Sequence, residues 1–211
     1  MPRMKPRKHG LLFHFLDVVF NIIVIVAIVA GIRTFLVSPF QVEGNSMVDT
    51  LEDKQYIIIN KLAYLLGQPE RGDVVVFRPP NDHEKYYVKR VIGLPGDTVS
   101  IRGGYVYLQN EGTKEAVKLA EDTYLNDRND GRTFSHPPSS GNTKVVSYEV
   151  PEGHYFLLGD NRQGSLDSRS FVGDDAKPLP FVPDSDIKGR VWFVALPVTK
   201  IHALEPPEYG F

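Results

Sequence analysis

The chain has 211 residues, a formal net charge of −2 and no cysteine. The missing cysteines exclude disulfides, thiolate catalysis and cysteine-ligated zinc, and the weak net charge argues against nucleic acid as a partner. The six histidines (His9, His14, His83, His136, His154, His202) are scattered, with no His-Glu-x-x-His pair, so no metal and no cofactor are expected.

A basic start (Arg3, Lys5, Arg7, Lys8; residues 1–10) precedes an apolar run from Leu11 to Val37, interrupted by Asp17, Asn21 and Arg33. About 20 apolar residues in a helix cross roughly 30 Å of hydrocarbon, so 11–37 reads as a transmembrane anchor in a lipid bilayer. A cleavable secretory signal shares the basic start, and Ala27-Ile28-Val29-Ala30 resembles a cleavage site. The apolar pattern continues past that point through Ile32, Phe35 and Leu36, which favours a permanent anchor. The excess of basic residues before the span leaves the N-terminus cytoplasmic and residues 38–211 extracytoplasmic.

Beyond the anchor, about 170 residues remain, enough for one core with an inserted lobe. Short β-branched or aromatic runs follow: Tyr56–Ile59, Val74–Phe77, Tyr86–Val88, Val99–Ile101, Tyr105–Leu108, Val145–Tyr148, Tyr155–Leu158 and Val191–Val194. Turn-formers such as Arg71-Gly72-Asp73, Leu94-Pro95-Gly96-Asp97 and Arg102-Gly103-Gly104 bound them. The fold expected is mainly β: an N-terminal transmembrane helix, then an antiparallel β catalytic domain with a smaller β lobe inserted at 105–150. Residues 126–143, rich in Asn, Asp, Gly, Ser and Pro, read as a mobile loop. Arg71-Gly72-Asp73 reads as a tight turn rather than an adhesion motif, because a strand follows directly.

Ser46, in Gly44-Asn45-Ser46-Met47, is a candidate nucleophile close behind the anchor. A serine hydroxyl needs a neighbouring base, and the Gly-x-Ser-x-Gly elbow of histidine-assisted α/β-hydrolases is missing. A lysine can serve if burial keeps it neutral. Lys89 lies in an apolar strand where alternation puts Tyr87, Lys89 and Val91 on one face. Pattern alone leaves two readings for it, a solvent lysine on an edge strand or a catalytic base.

Four separated segments stand out: Ser38-Pro39-Phe40-Gln41-Val42 through Ser46-Met47 to Thr50-Leu51; Arg71 to Phe77; Tyr87 to Asp97; and Gly159-Asp160-Asn161-Arg162 with Ser165 and Asp167-Ser168-Arg169. In order and spacing they resemble the bacterial type I signal peptidases, membrane-bound Ser/Lys proteases. The resemblance implies Ser46 as nucleophile, its backbone N–H as oxyanion donor and Lys89 as general base. It further implies that Ser165 orients the Lys89 amine, and that Arg90 with Asp160 and Asp167 with Arg169 form structural ion pairs. Phe40, Val42, Met47, Leu51 and Tyr87 would line shallow apolar pockets for small side chains of the substrate. The implied activity is removal of signal peptides from exported preproteins at the bacterial plasma membrane.

Three departures stand out. Gly44 occupies a position where many Gram-negative members carry a hydroxyl, though the Gram-positive members also have glycine there. Asn45 directly precedes the nucleophile, and Asp49 replaces a proline shortly after it. Residues 172–180 form an insertion, read as an extended loop at the cleft rim. Two rival readings are a self-cleaving repressor of related fold, which would carry a DNA-binding domain instead of an anchor, and a catalytically inactive, membrane-tethered peptide-binding β domain.

Overall fold

A computed structural model describes residues 10–48, 50–113, 115–134 and 145–209. Helix α1 (Leu11–Gly31) continues into a π-helical turn, Ile32–Leu36. The stretch Leu12–Thr34 is long and apolar enough to cross a membrane, and none of its most apolar window is buried in the protein. Phe13, Phe15, Phe20, Ile25 and Val26 all point outward. Its 23 residues rise about 34 Å at 1.5 Å each.

The expected span ran to Val37, but the chain turns extended there. Strand β1 (Val37–Gln41) pairs antiparallel with β2 (Tyr56–Asn60). A four-residue helix α2 (Ala63–Leu66) leads to β3 (Val74–Phe77) and β4 (Tyr87–Gly93). Hairpin strands β5 (Thr98–Arg102) and β6 (Tyr105–Gln109) follow, then β7 (Val117–Lys118) and β8 (Val146–Glu149). The chain returns through β9 (His154–Leu158), β10 (Val182–Pro183), β11 (Ile187–Leu196) and β12 (His202–Ala203).

Two antiparallel sheets result. The larger has the order β1-β2-β11-β3-β4-β9-β10, with β12 also on β11; the smaller has the order β7-β6-β5-β8. The smaller sheet starts at Thr98, one strand before the expected 105, because Gly103-Gly104 is the β5–β6 hairpin turn and both glycines have positive φ. Ile92, Val99, Val106, Leu108, Leu158 and Phe156 form a cluster joining the two sheets. A second cluster, Val42, Met47, Leu51, Ile59, Val76 and Val194, lies beneath β1 and β2.

Part of the expected mobile loop, 135–143, falls outside the described residues. Its first half is packed: Asn129 is 5% exposed and Thr133 is fully buried. Arg71 of the tight turn is bonded to Asp97 at 2.8 Å and to Ile92 O at 2.6 Å, so it braces the core. The 172–180 insertion is a small hairpin closed by a Val172–Pro178 bridge and by Leu179 N–H donating to Phe171 O at 2.8 Å. Leu179 packs on the Phe77–Phe171 cluster.

Candidate active site

Strand β4 is interior to the larger sheet, between β3 and β9. That removes the edge-strand reading of Lys89, which is only 2% exposed. Ser46 sits in a turn after β1. Gly44 opens this turn at φ +86°, a left-handed conformation that a side chain would strain, and its N–H donates to Asp53 Oδ1 at 2.8 Å. Leu51 N–H donates to Met47 O at 2.8 Å and closes the turn.

The turn brings Ser46 Oγ to 2.7 Å from Lys89 Nζ. The same amine donates to Val88 O at 2.8 Å, which leaves its remaining valences free for the serine. Burial is the largest influence on this lysine and lowers it from 10.5 to about 8; Asp167 and Asp160 pull upward, while Arg169 adds to the lowering. A neutral amine is therefore accessible near physiological pH, and only a neutral amine can accept the serine proton. Activity should rise with pH through about 8 and level above it, as the ammonium loses its proton. A pH–rate profile of kcat/KM tests this, and an acidic limb near pH 10 would contradict it.

The loop after β9 forms the floor. Arg90 Nε and Nη2 donate to the two Asp160 carboxylate oxygens at 2.9 and 2.7 Å, and Thr50 Oγ1 donates to Asp160 at 2.5 Å. Arg169 makes the same two-pronged contact with Asp167, at 2.8 and 2.7 Å. Burial alone would raise the Asp167 carboxyl, but the Arg169 charge and its hydrogen bonds hold it below the usual carboxylate range. All four of these side chains are buried.

Ser165 is placed differently from expectation. Its Oγ is buried beside Asp167, whose carboxyl it helps to hold down, and makes no hydrogen bond to Lys89. Val88 O takes the amine contact expected of it. Ser165 instead lies against the main chain of Gly159. A Cβ on Gly159 would clash with Ser165 Oγ and stand 2.5 Å from Ser46 O. Gly159→Ala should therefore displace Ser46. Overpacking of this kind costs about 1–3 kcal/mol, and misplacement by about 1 Å costs up to about 10²-fold in rate. Full activity in a peptide-cleavage assay would show that the loop is not held this tightly.

An open cleft of about 520 Å³ exposes Ser46 and Lys89. Phe40, Val42 and Tyr87 line it, with Gln41, Ile57, Val76, Lys85, Tyr86 and Leu166, none of which was expected there. Met47 and Leu51 do not line it. They are 1% and 0% exposed and pack beneath the cleft with Ile59 and Val194, because the Ser46 turn points them inward. Their apolar identity fits core and pocket equally, so sequence could not separate the two. Residues 172–180 contribute nothing to the lining.

A second buried network ties this loop to the smaller lobe. Arg162 Nη1 donates to Glu121 at 3.0 Å and to Thr133 at 2.7 Å, and Arg162 Nε donates to Gly159 O at 3.1 Å. Arg162 was visible in Gly159-Asp160-Asn161-Arg162, but nothing marked Glu121, far off in sequence, as its partner.

Comparison with known proteins decides the family. The model of the family described as signal peptidase, peptidase S26, matches residues 15–196. The chain belongs to the S26 signal peptidase family. Within that family, signal peptidase I of Pseudomonas aeruginosa is 36% identical over 199 residues, covering 79% of this chain and 67% of that protein. Signal peptidase I of Bacillus amyloliquefaciens is 35% identical over 180 residues, covering 85% of this chain and 87% of the relative. A crystal structure of a signal peptidase I from Enterococcus faecalis is 32% identical and covers 59% of this chain and 97% of that one, with a TM-score of 0.42. Membership in the S26 family accords with the apolar N-terminal helix, since its signal peptidases are membrane-associated.

Proposed function

We propose that this chain is a membrane-anchored serine endopeptidase that removes N-terminal signal peptides from exported preproteins, with Ser46 as nucleophile and Lys89 as general base. The observation that carries the reading is the 2.7 Å contact between Ser46 Oγ and a buried lysine amine. The neutral amine takes the Ser46 proton as Oγ attacks the scissile carbonyl, and the resulting ammonium gives that proton to the departing amine. Water then attacks the acyl-enzyme, with Lys89 again as base, and Ser46 is released. Ser46 N–H, which has no acceptor among the described residues, supplies a donor to the tetrahedral oxyanion.

Helix α1 anchors the chain in the bilayer with residues 1–10 in the cytoplasm and the β domain outside. The cleft beside β1 then meets preproteins held in the same membrane by their own apolar segment. An extended substrate lies along the cleft, with Phe40, Val42 and Tyr87 bounding the subsites for small side chains. Ser165 supports the lysine: its buried hydroxyl oxygen can accept an N–H of the Lys89 amine, which leaves the nitrogen lone pair for Ser46. Arg90–Asp160 and Asp167–Arg169 hold that loop.

A processing assay tests the reading. The full chain, reconstituted in phospholipid vesicles with a preprotein carrying a small-x-small cleavage site, should release the mature domain, and Ser46→Ala should not. Intact preprotein with the wild-type chain would overturn it.

A further inference from the structure

The peptide unit between Asn45 and Ser46 carries the N–H that faces the oxyanion in the reading above, and its carbonyl is held from behind. Asn161 Nδ2 donates to Asn45 O at 3.0 Å, and Asn161 backbone N–H donates to Ser46 O at 3.0 Å. The amide orientation of Asn161 is itself fixed, because its Oδ1 accepts from Gly164 N–H at 3.2 Å. Gly164 also leaves room for it, since a Cβ there would stand 2.8 Å from Asn161 Nδ2. We infer that the Asn161 side chain is a positioning residue for the oxyanion donor: by holding Asn45 O, it aims Ser46 N–H into the cleft.

The physical reason is the geometry of the amide. C=O and N–H of one planar peptide point in opposite directions, so anchoring the carbonyl on the loop side sets the N–H toward the cleft. A hydrogen bond accepted by the carbonyl also polarises the same peptide and strengthens its N–H as a donor. Val48 N–H reaches Asn45 O as well, but at 3.4 Å, so Asn161 is the closer restraint. Nothing about Asn161 touches the reacting atoms, and it acts only through this peptide.

The inference rests on Ser46 N–H being the oxyanion donor. Asn161→Ala keeps the backbone bond to Ser46 O and removes only the side-chain hold; Asn161→Asp keeps an acceptor for Gly164 N–H but sets a carboxylate oxygen against Asn45 O. Loss of a direct oxyanion donor costs about 10²–10³-fold, and this indirect one should cost about 10–100-fold in kcat, with KM nearly unchanged. Binding of a peptide aldehyde, which forms a tetrahedral adduct on the serine, should weaken in proportion to kcat/KM across wild type, Asn161→Ala and Asn161→Asp. The acidic limb of the pH profile should stay at the wild-type position, since Lys89 is untouched. Wild-type kcat in both variants, or losses confined to KM, or aldehyde affinity that does not follow kcat/KM, would overturn the inference while leaving an active wild type and an inactive Ser46→Ala intact. If Asn161→Ala does not fold by thermal melting, Asn161→Asp carries the comparison.

Discussion

Ser46→Ala and Lys89→Met should each abolish processing, by roughly 10⁴–10⁶-fold in kcat, as in other hydrolases whose nucleophile and base act as a unit. The double variant should be no worse than either single one, because the second change removes a group with nothing left to activate. Stability should move the other way at Lys89. Its folded pKa, lowered from 10.5 to about 8, means that the unfolded chain holds a proton there that the folded chain gives up between those two values. Wild-type stability should therefore rise with pH from about 8 to 10.5. At pH 7 the buried ammonium costs about 3 kcal/mol, at 1.36 kcal/mol per pKa unit, so Lys89→Met should melt at or above wild type. Thermal unfolding alongside a cleavage assay checks both halves, and a Lys89→Met protein that retains turnover would remove the lysine from the mechanism.

Asp160→Ala should be the most destabilising change outside the reacting pair. Asp160 accepts two bonds from Arg90 and one from Thr50, and it is fully buried, with Arg90 at 3% exposure. Burial pulls the Arg90 guanidinium down, and Asp160, together with Tyr124 and Tyr209, more than offsets it, raising it above its ordinary value. Without Asp160 the guanidinium keeps Gly72 O at 2.9 Å, Thr50 Oγ1 at 3.1 Å and the face of Tyr124, 4.1 Å to the ring centroid, none of which carries a compensating charge. Removing one partner of a buried ion pair costs about 3–5 kcal/mol, which for a domain of this size lowers Tm by roughly 6–20 °C. Arg90→Met paired with Asp160→Leu should recover much of that loss, because it removes both charges and leaves apolar volume. A melting temperature within a degree or two of wild type for Asp160→Ala would mean that the pair is not sealed from solvent.

Much of the β architecture could be read from alternation. The eight apolar runs fall on or within strands β2, β3, β4, β5, β6, β8, β9 and β11, since β-branched and aromatic residues suit a half-buried pleat. Strand β1 escaped because its sequence, Val37-Ser38-Pro39-Phe40-Gln41, continues the apolar text of the helix, and Pro39 discourages a strand reading. It is tolerated because β1 lies at the sheet edge. The two-residue strands β7, β10 and β12 are too short to carry any period.

At the site, residue chemistry was more legible than direction. A serine after the anchor and a lysine in an apolar strand could be named from their surroundings, because burying a lysine is costly enough to need a reason. Which way Met47, Leu51 and Leu166 point could not. Leu166 is 58% exposed in the cleft while Leu51 is fully buried, and only the turn geometry distinguishes them. Val88 O and the Asn45–Ser46 peptide are main-chain groups, and composition says nothing of where such groups aim.

The central claim is that a free amine at Lys89 activates Ser46, and the absence of native cysteine permits a direct test. Lys89→Cys carries the only thiol in the chain, and alkylation with 2-bromoethylamine rebuilds a lysine-like amine with sulfur in place of one methylene. The unmodified variant should be inactive. The alkylated one should recover cleavage, with its acidic limb moved below the wild-type position of about 8, because the sulfur withdraws electron density from the amine. No recovery in a folded, fully alkylated protein, or recovery with the limb unmoved, would contradict the claim.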